Sequence, residues 1–166
     1  MTFEDSTLTS GAYKKIFASN EGMLLDIVVC DTSIDDWQAL LDHLRAGYTC
    51  VYSENGVAVP LPRAEVIFER RNQVSVSLEC MLMGFTVNCY FFLAHEIELD
   101  LLPNAIKSAN TAKQVFQLMK EISAIFKKTV FLAPEHGNTN VEELQNIALA
   151  LVDTADGSIR SRFGKL

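Results

Sequence analysis

The spacing of apolar residues changes several times along the chain, and each change marks an element. Residues 1–20 are polar and mixed, with a helical turn or edge segment expected around Tyr13–Phe17. LLDIVV, residues 24–29, is a β-branched apolar run of strand length and predicts a buried strand. Directly after it, Ile34, Trp37, Leu40, Leu41 and Leu44 recur at helical spacing. Ser33 offers an N-cap hydroxyl, Asp36 follows in the first turn, and Gly47 supplies the stop. YTCVY (48–52) predicts the next strand, so strand, helix and strand form a crossover unit or an α/β corner. Asn55-Gly56 then marks a hairpin, because both central residues of its tight turn take positive φ. AEVIFERR (64–71) and QVSVSLEC (73–80) alternate with period two and predict strands turning at Arg71-Asn72. FTVNCYFFLA (85–94) adds another after Gly84, and connections this short require antiparallel pairing.

The second half continues the alternation and then leaves it. In EIELDLL (96–102), Ile97, Leu99 and Leu101 share one face and Glu96, Glu98 and Asp100 the other, until Pro103 stops the strand. A helix is predicted over 109–127, with Val115, Leu118, Met119, Ile122 and Phe126 as its apolar stripe. TVFLA (129–133) predicts a short strand closed by Pro134. In the tail, Asn140 with Glu143 can start a helix while Ile147, Leu149 and Leu151 alternate as in a strand, so 141–151 stays open between the two; the preferred reading is a short helical turn and then a terminal hairpin turning at Asp156-Gly157. The whole pattern predicts an α+β fold: a largely antiparallel sheet of six or seven strands with two main helices on one face.

Composition narrows this picture. The 166 residues suffice for one well-formed core, and no repeat or Pro/Gly-rich linker divides them, so a single domain over 1–166 is expected. A net charge of −7 opposes binding to a phosphate backbone, which needs clustered Lys and Arg. It suits solubility, or a basic protein partner steered by charge. The start, MTFEDSTLTSGAYKK, has acids where a signal peptide carries bases, and no apolar stretch reaches the roughly 18 residues of a membrane helix. A cytoplasmic protein is therefore expected. Cys30, Cys50, Cys80 and Cys89 form no C-x-x-C and lie in apolar segments, which reads as buried cytosolic thiols rather than zinc ligands or nucleophiles.

Few residues carry candidate chemistry. FLAPEHG (131–137) sets Glu135 beside His136, an acid next to a base. Neighbours on extended backbone point to opposite faces, so the two serve one another only if Gly137 and Asn138 bend the chain; otherwise the pair is a solvated strand exit. His95, beside Glu96, belongs to the same alternative site. His43, His95 and His136 lack the i, i+2 or i, i+4 spacing of paired ligands, so no metal site is expected, and no phosphate-binding loop or other cofactor motif occurs. Glu96, Glu98 and Asp100 lie roughly 7 Å apart in successive pairs. Their face is expected to meet solvent, where it recognises a basic surface or simply blunts edge pairing; a divalent cation there would need oxygens from other strands.

Three consecutive stretches then carry a resemblance: FFLAHEIELDLLPNAIKS, a helix ending EISAIFKK, and TVFLAPEHG. An acidic alternating strand leading through a proline into a helix, then a short strand ending in a proline–glutamate turn, resembles small bacterial proteins of the immunity-protein type. The resemblance spans roughly residues 85–137. Leu102 before the proline and His136 after the glutamate depart from the pattern, so no contact residue is carried over. The resemblance implies a cytoplasmic partner of a secreted toxin, blocking a toxin domain by direct binding. The expected function is thus a non-enzymatic binding protein with Glu96, Glu98 and Asp100 as the contact face and a basic toxin domain as partner. Two alternatives stand beside it. One is a small enzyme or ligand-binding domain using Glu135, His136 or His95; the other is a structural module that forms a homodimer through a sheet edge.

Overall fold

The apolar run near residue 25 becomes a central strand, with neighbours drawn from far along the chain. A computed structural model describes residues 4–5, 10–18, 22–136 and 140–163. Ten strands occur among them: β1 (Glu4–Asp5), β2 (Leu25–Cys30), β3 (Thr49–Glu54), β4 (Val57–Ala58), β5 (Val76–Leu82), β6 (Phe85–Cys89), β7 (Glu96–Leu101), β8 (Val130–Pro134), β9 (Ala150–Val152) and β10 (Ile159–Ser161). The helices are α1 (Ser10–Phe17), α2 (Ile34–Gly47), α3 (Ala64–Arg70), α4 (Ala109–Phe126) and α5 (Val141–Ile147). The strands form one open sheet in the order β1-β10-β9-β8-β2-β7-β6-β5-β3-β4, antiparallel at every pairing. The count exceeds the six or seven expected. The excess comes from pieces of two or three residues (β1, β4, β9, β10), too short to show a period.

α2 carries the chain from β2 to β3 across the width of three strands, and the meander β5–β6–β7 later fills that gap. Ser33 and Asp36 form a reciprocal capping box at its start. α2 and α4 bury their stripes in the same core, against Leu25, Ile27 and Val29 of β2 and Ile97, Leu99 and Leu101 of β7. All five expected α4 positions, Val115 to Phe126, are buried there. α1 adds Ile16 and Phe17 to this core. α5 packs on the other side of the sheet, where Leu144 and Ala148 cover Val28, Phe131, Ala133 and Leu151.

Three expectations need correction. AEVIFERR is a helix, α3, not a strand. Ala64 and Ile67 are its buried positions, one turn apart, and the Ala64 N–H is taken by Gln38 Oε1 at 2.8 Å. In this short apolar run, tertiary docking on α2 decides between two periods that the sequence fits equally. The strand expected over 85–94 stops at Cys89, after which the backbone leaves the sheet. Cys50 and Cys80 are not free thiols. They are direct cross-strand partners of β3 and β5, their Cα atoms 4.2 Å apart, and they form a disulfide, while Cys30 and Cys89 remain free.

Candidate functional site

Because Leu25, Ile27 and Val29 point into the helix-side core, Asp26 must point to the other face of the sheet. The β2–β7 register then sets Asp26 opposite Asp100, Val28 opposite Glu98 and Cys30 opposite Glu96. The same level continues outward, Asp100 to Asn88 on β6, Asn88 to Glu79 on β5, and Glu79 to Val51 on β3. A polar row therefore crosses four adjacent strands, β2, β7, β6 and β5, on the face opposite α2 and α4, and ends at Val51 on β3.

The acids expected to meet solvent are largely enclosed. Asp26 is 1%, Glu96 6% and Asp100 7% exposed; Glu98 is half-buried, while Glu79 and Glu135 are exposed. EIELDLL lies in the middle of the sheet, so its polar face is packed among other strands' side chains rather than left at an edge. Asn88 Nδ2 donates to Asp100 at 2.9 Å, and the Cys30 thiol lies 3.9 Å from Glu96. Burial, then the charges of Glu98, Asp100 and Glu135, push the Asp26 carboxyl up to about 8, against a backbone hydrogen bond at His136. At pH 7 these effects favour the neutral form of Asp26. Burial raises Glu96, Glu98 and Asp100 above the usual carboxylate range as well.

Of the alternative site, His136 joins this cluster. Its side chain is 7% exposed, and its Nδ1 lies 3.0 Å from the Pro134 carbonyl and 3.5 Å from Asp26 Oδ2. The partner of His136 is thus Asp26, not the adjacent Glu135. His136 Nε2 and Asp26 Oδ2 are both buried without a hydrogen-bond partner. The bend expected at Gly137 and Asn138 lies outside the described residues. His95 is exposed and lines an open cavity of about 520 Å³ with Glu96, Cys30, Asp31 and Glu142. His43 lies elsewhere, where its Nε2 and the Tyr48 hydroxyl meet Glu121 between α2 and α4. Among the described residues, no group of three or more His, Cys, Asp or Glu side chains has the geometry to hold a metal ion.

Asp26 is the member of this site that periodicity conceals, since LLDIVV reads as an apolar strand whichever residue stands third. The available signal is the charge itself: an ionisable residue inside a buried strand run needs a partner or a shifted pKa.

Beside the row, the chain makes an unusual exit from the sheet. Phe91 takes φ 57°, a left-handed conformation costing roughly 1–3 kcal/mol for a bulky residue. Two features hold it there. Its ring is buried among Trp37, Phe68 and Tyr52, and the Arg71 guanidinium donates to both the Phe91 and Phe92 carbonyls while lying 4.7 Å over the Phe68 ring. Tyr90 and Phe92 on either side are thrown outward and stack on each other, centroids 5.7 Å apart.

Compared with known proteins, the chain matches no family model, and no curated protein and no solved structure is significantly similar to it. No helix of the described residues is long and apolar enough to cross a membrane.

Proposed function

We propose that the chain is a non-enzymatic binding protein that holds a basic protein partner against the part of the sheet's second face that α5 leaves uncovered. One observation carries this reading. Glu98, Asp100 and Glu135 act electrostatically on Asp26, Glu96 acts on Glu98, and among the described residues the cation-forming side chains that act on this row are His95 and His136. A partner's Lys or Arg would complete that imbalance, with charge complementarity setting which partner is accepted. Glu98 and Glu135, the accessible members, make the first contact; Asp100 and Glu96 act from behind them. This revises the contact face read from the sequence, in which all three of Glu96, Glu98 and Asp100 met solvent.

The immunity-type resemblance gives the reading a specific form: a cytoplasmic inhibitor of a toxin domain encoded beside it. Co-expressing the chain with the basic C-terminal domain of a neighbouring secreted-protein gene tests it. Rescue of growth by the wild type, weakened by Glu98→Gln with Glu135→Gln, is expected. No rescue and no complex between the purified proteins would remove the immunity reading.

A small enzyme is the second reading, and Asp26 favours it: an acid whose neutral form is favoured at pH 7, beside His136, is an acid–base arrangement of the kind catalytic sites use. Hydrolysis of simple esters, phosphomonoesters or glycosides that disappears in Asp26→Asn would support it, and absence of any turnover in the wild type would count against it. A sheet-edge homodimer has less behind it. The edge strands β1 and β4 have two residues each, and Pro60 and Pro62 follow β4, leaving little backbone to pair.

A further inference from the structure

We propose that Tyr90 and Phe92 form an aromatic platform that receives an arginine side chain of the basic partner. This rests on the acidic-face reading and names where on that face the partner is anchored. Tyr90 is 41% and Phe92 63% exposed, although a large aromatic side chain normally buries. Their exposure is enforced by the backbone. The left-handed Phe91, its ring locked in the aromatic nest and the two neighbouring carbonyls held by Arg71, leaves Tyr90 and Phe92 no inward direction. Backbone strain that the surroundings over-determine is a mark of functional sites.

The chemistry of the surroundings selects the occupant. Tyr90 stands two residues beyond Asn88, whose cross-strand partners are Glu79 and Asp100, so the platform lies beside the polar row, and both carboxylates act on the Tyr90 hydroxyl. An apolar partner laid here would strip water from those carboxylates without replacing it, and an anionic one would be repelled. A cation is favoured by the ring faces and by the carboxylates together. A guanidinium is favoured over an ammonium, because its plane stacks on an aromatic ring while its edge donates to a carboxylate. Tyrosine and arginine are also the residue types that most often dominate protein interfaces.

The test uses the whole chain and two probes, an octa-arginine and an octa-lysine peptide, titrated at low salt by calorimetry. The wild type is expected to bind octa-arginine at least tenfold more tightly than octa-lysine. Tyr90→Ala with Phe92→Ala should bring octa-arginine down to the octa-lysine level, with the far-ultraviolet circular dichroism unchanged. Phe92→Ala alone, at the more exposed position, should give the same direction with a smaller loss and covers the case in which the double variant misfolds. Equal binding of octa-arginine by wild type and variants, or equal wild-type binding of the two peptides, overturns the platform and leaves the acidic-face reading standing. No binding of either peptide by the wild type overturns both.

Discussion

At the scale of single residues, Asp26 has the clearest consequence. The unfolded chain ionises this carboxyl near 3.8, whereas the fold holds its proton up to about 8. The protonated group thus contributes stability that is fully present below the unfolded value and is lost as pH rises through about 8. Glu96, Glu98 and Asp100 are raised too and add to the same trend. Urea unfolding at pH 5.5, 7.0 and 8.5 should show the wild type weakening with pH. In Asp26→Asn the slope should be shallower by up to about 1.4 kcal/mol per pH unit, one proton's worth. Parallel slopes would mean that another group titrates. In LLDIVV only the charge itself hinted at this, because one acid among five apolar residues leaves the strand signal intact. Glu96, Glu98 and Asp100 were legible as one face of one strand. Their burial was not, because alternation tells which side a residue points to and not what lies on that side.

Elements differ in how far local pattern determines them. α2 and α4 carry caps, long stripes and stops that agree with one another, and they form where the spacing places them. AEVIFERR has eight residues and two admissible periods, so docking onto α2 decides it. α5 is as short, and its hold on the sheet rests on Leu144, which is fully buried in the small second core. Leu144→Ala is expected to cost about 2–5 kcal/mol and to raise hydrogen exchange first in α5 and β9. Uniform loss of protection across the sheet would show that α5 is not a separate unit. The β3–β5 pairing gives a second outcome. Protein unfolded without reductant should show two reactive thiols, Cys30 and Cys89, and with reductant four. Replacing Cys50 and Cys80 together by Ala should cost about 3–4 kcal/mol for a loop of this length. A count of four thiols in protein taken directly from cells would accord with the reducing cytosol that the immunity reading requires, and the pair would then close only on oxidation.

For the molecule as a whole, charge and topology act at long range. With a net charge of −7, association with a basic partner should be steered, and the association rate should fall tenfold or more between about 0.05 and 0.5 M salt while dissociation changes little. A salt-independent rate would argue against the acidic face. Topology matters while the chain is being made. β2 pairs only with β7 and β8, so it waits for residues 96–134 with both edges open. An apolar, β-branched segment left unpaired is the kind that aggregates, and a charge within it is what commonly prevents this. At its ordinary value of 3.8 the unfolded Asp26 carboxyl would supply that charge, and burial between β7 and β8 would then favour its neutral form. On this account the same residue would guard the segment before the sheet closes and carry no charge afterwards. Asp26→Asn should accordingly scatter more light on rapid refolding at neutral pH, even where the folded variant is the more stable protein.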